Sequence, residues 1–388
     1  MSKIKVNSLE GVGASTPAIS IDNTSGTCTA NITNNLSNRN KVINGSMIVD
    51  QRNQGSASTA IASNYCVDRF LIQSSNTDQL AASIQQIQSE TDAPAGTGLT
   101  HHLKWTTTTP ETAIASDEVT RFQYHIEGQD LQDFCYGTSS AKTVTVSFYV
   151  KTSITGVYAL SIFRDESTDR IINRTYTVSN TDWNRYTFTI AGDTASKISD
   201  GTASRWRMMF HLAAGSDYTG SSHATWGNYS TAYFAGGHVQ NGVCTTNGAT
   251  WQLTGVQLEV SDHATDFEHK SFGQELALCQ RYYYQHLDGP YSYGVGGAYN
   301  STRGYSAVHF PVTMRGVPTL VIDTSTNSTY NVRFNNGSNS INGSSISLAN
   351  AGINGSVLHH ENLSNAGGYP MWFRGNNSTA KIAFNSEL

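Results

Sequence analysis

Charge is scarce in this sequence. Its 24 Lys+Arg and 29 Asp+Glu make up 14% of 388 residues, where about 25% is usual for a soluble domain. The net charge of −5 and the lack of any basic block argue against binding to nucleic acid or to anionic membranes. No apolar run approaches the roughly 18 residues a membrane helix needs, so membrane insertion is not expected. Met1 to Glu10 has two lysines but no apolar core and no cleavage pattern, and does not read as a secretory signal. Proline is low at 7 and no Gly-X-Y period exists, which excludes collagen. Five cysteines (Cys28, Cys66, Cys135, Cys244, Cys279) are odd in number and never form CxxC. They read as free thiols of a protein made in a reducing cytoplasm, rather than as a disulfide framework. GxSxG, HExxH, P-loop and GxGxxG motifs are all missing, so no catalytic residue, metal site or cofactor is expected.

Aromatic and small polar residues take the place of charge. There are 19 Tyr, 14 Phe, 6 Trp and 34 Gly, and Ser, Thr and Asn supply about three residues in ten, above ordinary usage. Such a chain is not disordered. Thr, Tyr, Val and Ile punctuated by Gly and Asn suit strands and turns, and the fold class is all-β. Thr143–Val150 alternates at period two; Val157–Phe163, Tyr186–Ile190, Trp206–Leu212 and Trp251–Val260 complete a set of short strands expected to form an antiparallel sandwich or barrel.

Four regions are expected. Residues 1–42 are poor in groups to bury and cannot repay the ordering cost alone, so they need a partner copy or a docking site. Residues 43–265 read as a large sandwich. Residues 266–288 hold a helix from about Phe272 to Tyr284, opened by a capping box of Ser271 and Gln274, with Phe272, Leu276, Cys279 and Tyr283 on one face. Residues 289–388 return to β character, with strands at Ser306–Val312, Thr319–Asp323 and Lys381–Leu388; Asn335–Asn354 is nearly all Asn, Gly, Ser and Ile and also looks dependent on partner copies.

Sugars present apolar faces that stack on aromatic rings and hydroxyls that bond to amides and carboxylates. Trp226, Tyr229, Tyr291, Tyr293, Tyr299 and Tyr305 lie among Gly, Ser, His and Asn, and Tyr369 and Trp372 flank Pro370. These eight read as loop aromatics and as glycan-binding candidates. Trp105, Trp183, Trp206 and Trp251 lie in or beside strand patterns and are expected in the core. The doublets His101-His102 and His359-His360 point to opposite faces of a strand and cannot chelate one ion within a chain, although three copies meeting on an axis would allow it.

Two longer patterns carry a resemblance. Asn44-Gly45, then Met47 to Asn53 with Gln51-Arg52, then Tyr65-Cys66-Val67-Asp68-Arg69-Phe70 form one. Leu253 to Val260, Ala264 to Ser271 and Glu275 to Tyr283 form the other. Over about residues 42–285 they resemble bacteriophage tail fibre proteins of marine (cyanophage-like) phages and prophages. Ile382 to Leu388 and Lys3 to Asn7 are similar to the two ends of that group. Tyr176–Val178 through Trp183–Thr189 resembles jelly-roll carbohydrate-binding modules, a likeness of fold that transfers no sugar-contacting residue. The resemblance implies a homotrimeric fibre in the virion tail, made in the host cytoplasm. It implies attachment to adaptor or nozzle proteins through the first residues, with Ile4, Val6, Leu9, Ile19 and Ile21 as anchoring candidates, and host surface polysaccharide as the distal partner. Arg69 and Glu259 are expected to pair or to cap inside the fold. A purely structural virion part (head fibre, adaptor or nozzle) and a glycan-degrading tailspike are the alternative readings.

Overall fold

The computed structural model describes residues 6–9, 19–21, 24, 28–30, 38–322, 329–334, 337–341, 343–364 and 369–388. Its first strands, β1 (Ser8–Leu9), β2 (Ile19–Ile21) and β3 (Cys28–Ala30), form a small antiparallel sheet. Val6 and Leu9 are exposed there and Ile19 and Ile21 half-buried, whereas Ile4 lies outside the described residues.

Residues 38–260 build a jelly-roll-like sandwich. Its strands are β4 (Asn64–Val67), β5 (Phe70–Ser75), β6 (Ala81–Gln88), β7 (His101–Thr109), β8 (Val119–Glu127), β9 (Val144–Thr152), β10 (Gly156–Arg164), β11 (Arg170–Val178), β12 (Asn184–Ile190), β13 (Ser204–Ala214), β14 (Gly227–Asn228) and β15 (Thr250–Glu259). One sheet runs β14-β11-β10-β13-β8-β5-β4 and the other β12-β9-β15-β7-β6, each pair antiparallel. Period-two alternation sends Val144, Val146, Phe148 and Val150 of β9 inward to meet Trp206, Met208, Phe210 and Leu212 of β13. Trp105, Trp206 and Trp251 are fully buried, with Trp251 stacked on Phe122 at 5.6 Å.

The capping box is present as the sequence leads one to expect: Ser271 accepts from the Gln274 main chain and Gln274 reaches back to Ser271. The helix, α1 (Phe272–Gln280), ends sooner than periodicity suggests. Tyr282 and Tyr283 are drawn out of it, because Glu127 accepts the Tyr282 hydroxyl (2.5 Å) and both Arg281 nitrogens (3.0 and 2.9 Å). Its buried residues are Glu275 and Cys279; of the expected stripe Cys279 is buried, Leu276 half-buried and Phe272 exposed, and the Glu275 carboxylate accepts from Asn44 N at 2.5 Å.

The distal unit contains β16 (Tyr283–Asp288), β17 (Ser292–Ala298), β18 (Gly304–His309), β19 (Thr319–Ile322), β20 (Tyr330–Phe334), β21 (Gly337–Ile341), β22 (Ile346–Ala349), β23 (Gly355–His360), β24 (Pro370–Gly375) and β25 (Lys381–Asn385). A three-stranded sheet, β16-β25-β19, faces a seven-stranded sheet, β21-β20-β24-β17-β18-β23-β22, across a second core that includes Phe373, Phe384, Tyr330 and Leu358. The Asn/Ser-rich stretch forms β21 and β22 inside this chain, anchored by buried Ile341 and Ile346.

Residues 386–388 tie the two units together. Glu387 ion-pairs with Arg69 and, at 3.0 Å, with Arg52. Tyr65 donates its hydroxyl to Leu388 O (2.8 Å), and Arg315 donates to the carbonyls of Ser386, Glu387 and Thr202. Arg69 therefore does not pair with Glu259. Glu259 instead accepts from Thr265 and Gln257 and lies 3.6 Å from Arg39 Nε. Sequence proximity of motifs does not report that Arg69 is aimed away from Glu259 and toward residues more than three hundred positions on.

Candidate functional site

The seven-stranded distal sheet has one face on the core and one face free. Alternation assigns the residues: in β24, Met371 and Phe373 are buried, so Pro370, Trp372 and Arg374 point outward. Pairing then brings the outward residues of neighbouring strands together. Trp372 lies opposite Arg333 on one side and Val295 on the other. Pro370 lies opposite Gly297, Gly297 opposite Tyr305, and Tyr305 opposite His359. Trp372 is 46% exposed and Val295 74% exposed, a disposition that folding does not reward and that makes this face the candidate contact surface.

One glycine keeps this face flat and another keeps its strands close. A Cβ on Gly297 would stand in open space with nothing within 4 Å, so glycine there leaves bare backbone between Pro370 and Tyr305. A Cβ on Gly296 would lie 1.7 Å from Tyr305 O, so only glycine lets β17 and β18 approach as they do. Rings gather at one end. Tyr299 packs on Tyr305 (5.2 Å), Tyr305 on His359 (4.4 Å), and Tyr369 stacks on Phe334 (6.4 Å, 13° between planes). Arg333 lies over the Trp372 ring at 6.0 Å. From Trp372 to Tyr305 is two strand spacings across and two residues along, about 12 Å.

Of the eight aromatic candidates, the fold brings three to the outer face, Tyr299, Tyr305 and Trp372; Tyr369 has the inward parity of Met371 and Phe373 and stacks on Phe334 at the rim of the core. Trp372 and Tyr305 lie in strands and not in loops. Tyr291 is exposed but stands at the opposite end of β17. Tyr293, next to it, is a core residue at 6% exposure, and burial holds its phenol well above the usual range. It offers no ring to a ligand because the bulge between Ser292 and Gly294 turns it inward toward Tyr330 and Phe373, against the alternation that carries Val295 and Gly297 outward. Trp226 and Tyr229 belong to the sandwich; Trp226 packs on Trp206 and Tyr136, and Tyr229 on Phe163. Both are half-buried, so their rings serve packing.

Trp183 departs from expectation in the other direction. It lies on the outer surface of the five-stranded sheet and donates Nε1–H to Asp92 (3.2 Å), which also takes Lys151 Nζ at 2.7 Å. Its ring meets the edge of His102 at 5.2 Å. Only its position just before a strand signalled this. His102 is buried and burial lowers its pKa to about 4; His360 is buried and lowered to about 3. Their partners in the doublets, His101 and His359, are half-buried on the opposite faces. No cluster of three metal-ligating side chains occurs among the described residues. A cleft of about 470 Å³ beside α1 is lined by Asn40, Lys41, Gln129, Asp130 and Asp133 among others, with no aromatic ring.

No protein-family model and no curated protein sequence matches the chain. Among solved structures the chain is similar to a CBM4 module, at 13% identity and TM-score 0.26 over 56% of this chain and 98% of that one. It is similar to a family 11 carbohydrate-binding module from Clostridium thermocellum in complex with a β-1,3-1,4-mixed-linked tetrasaccharide, at 9% identity and TM-score 0.25 over 55% and 98%. It is also similar to discoidin II of Dictyostelium discoideum, at 11% identity and TM-score 0.15 over 78% and 96%. At such scores these likenesses carry no argument, and the jelly-roll-like architecture rests on the strand pairing itself.

Proposed function

We propose that this chain is a non-catalytic, glycan-binding subunit of a bacteriophage tail fibre that contacts host surface polysaccharide with the outer face of its distal sheet. One observation carries the reading: Trp372, Tyr305 and Tyr299 stand on one sheet face that Gly297 leaves flat and that no part of the described chain covers. Rings supply stacking surfaces for sugar faces, and Arg333, His359 and the nearby main chain supply hydrogen-bonding partners. The tail assignment, homotrimeric state and attachment through Val6, Leu9, Ile19 and Ile21 draw on the resemblance of the Gln51–Phe70 and Leu253–Tyr283 patterns. Three copies on several fibres would let weak contacts act together.

A glycan array and a depolymerisation assay on the same polysaccharides test this. The chain binds one glycan class and leaves its length unchanged. Shortening of the polysaccharide overturns the non-catalytic reading, and absence of binding to any glycan overturns the receptor reading. Gold labelling of the N-terminal region in intact virions places the label at the tail; a label on the head overturns the tail assignment. A monomer at micromolar concentration overturns the trimer.

A further inference from the structure

We infer that the ligand of the distal sheet face is an acidic glycan, one bearing carboxylate, sulfate or phosphate groups, and that Arg333 and Arg374 hold its charge. This rests on the reading that the face binds glycan.

The two units differ in charge. Residues 289–388 contain five Lys+Arg and three Asp+Glu, a net of +2, against −5 for the whole chain, which leaves −7 on residues 1–288. Most of the distal charges are already engaged. Arg303 pairs with Glu361 at 2.5 Å, Glu387 pairs with Arg52 and Arg69, Arg315 is spent on carbonyls, and Lys381 donates to Arg52 O. Asp323 lies outside the described residues. That leaves Arg333 and Arg374, neither of which has a carboxylate partner among the described residues.

Both point to the outer face. Arg333 lies directly opposite Trp372, and Arg374 follows Trp372 by two residues on the same strand face. Diagonal neighbours of this kind are about 7–8 Å apart. Two guanidinium groups so placed repel one another, and an anion between them relieves that repulsion. Arginine's planar fork suits carboxylate, sulfate and phosphate oxygens. Beside Arg374 lies Asn331, which is more than nine-tenths buried, with its side-chain oxygen unpartnered. The arrangement pairs a ring for the sugar face with cations for its charge, in a chain that is otherwise sparing with charge.

The test uses the full chain on immobilised polygalacturonate and dextran sulfate. Carboxyl-reduced polygalacturonate and dextran are their neutral counterparts. Arg333 and Arg374 carry no ion pair, so Arg333→Gln and Arg374→Gln are expected to unfold at the wild-type temperature, which is checked first. The inference predicts binding to an anionic chain at least about fivefold tighter than to its neutral counterpart, with each arginine variant losing about threefold. It predicts that Trp372→Ala abolishes binding and that Lys142→Gln, an exposed sandwich residue, has no effect. Raising salt from about 0.1 M to about 1 M, which shortens the Debye length from roughly 10 to roughly 3 Å, weakens it. Equal binding of neutral chains that Trp372→Ala abolishes and the arginine variants do not affect overturns the acidic class and leaves the glycan reading standing. Failure to bind either anionic chain also overturns the acidic class. Binding that survives both Trp372→Ala and the arginine variants overturns the assignment of this face altogether.

Discussion

In the sandwich, Trp105, Trp206 and Trp251 lie between two sheets, and Arg69 and Arg164 are buried against Glu387 and Asp193. In the distal unit, Trp372 stands outside its sheet, and Arg333 and Arg374 lack an acid partner. The sandwich also covers much of its own outer surface. Phe234 packs over Arg121, Tyr229 over Phe163, and Asp92 fastens to Trp183 and Lys151. The distal sheet has no such second layer among the described residues. The same residue types therefore serve stability where they are enclosed and, on the proposed reading, are left for recognition where they are not. That contrast, and not aromatic content, separates a framework from a contact surface.

The largest expected effect sharpens this contrast. Trp206→Ala leaves a cavity in a closed core and is expected to cost about 4 kcal/mol, the range for large-to-small aromatic substitutions. Trp372→Ala is expected to change stability by no more than about 0.5 kcal/mol. Urea unfolding of the two variants checks both; equal losses would break the comparison. Next, Glu387→Gln leaves Arg69 buried without its charge partner and is expected to cost about 3 kcal/mol. Thermal unfolding reads that loss, and an unchanged midpoint would mean that residues 386–388 do not fasten the units.

A smaller effect appears with pH. Burial lowers His102 and His238 to about 4 and His125 and His360 to about 3. Below about pH 6.5 the unfolded chain takes up protons that the folded chain refuses, so stability falls as pH drops from about 6.5 toward 4. Each buried histidine contributes about 1 kcal/mol of loss between about pH 6.5 and 5.5. Three of these four lie in the sandwich, which is therefore the more acid-sensitive unit. Asp68 opposes this: burial raises it to about 6, so folding is relieved of a buried charge as pH falls through that value. Calorimetry at pH 6.5 and 5.5 is expected to show a net fall in the unfolding temperature. A rise would mean that Asp68 and its like outweigh the histidines. The smallest expected effect is at the connector: Ser271→Ala removes half the capping box and costs about 1 kcal/mol, read by the same unfolding measurement.

Local rules made part of this legible in the sequence. Alternation identified β9, β10, β12, β13 and β15, and the Ser271/Gln274 spacing identified the start of α1 to the residue. The Tyr299–Tyr305 and Tyr369–Trp372 groups stood out as aromatics without an evident core. Other features depend on pairing between distant strands. Tyr291 and Tyr293 flank the same Ser292, and only the bulge between Ser292 and Gly294 in the pairing of β17 with β24 turns Tyr293 inward while Tyr291 stays exposed. β8 alternates Arg121, Gln123 and His125 with Phe122, Tyr124 and Ile126, but both faces end buried because a second layer covers the polar one. The Arg69–Glu387 pair spans almost the whole chain, and no local pattern announces it.

The most direct test sets two tryptophans on outer sheet surfaces against each other. Glycan binding is measured for folded Trp372→Ala, on the distal face, and for folded Trp183→Ala, on the outer surface of the sandwich. The account predicts a loss of tenfold or more for the first, about 1.4 kcal/mol, and little change for the second. Binding that is lost in Trp183→Ala and retained in Trp372→Ala would contradict it.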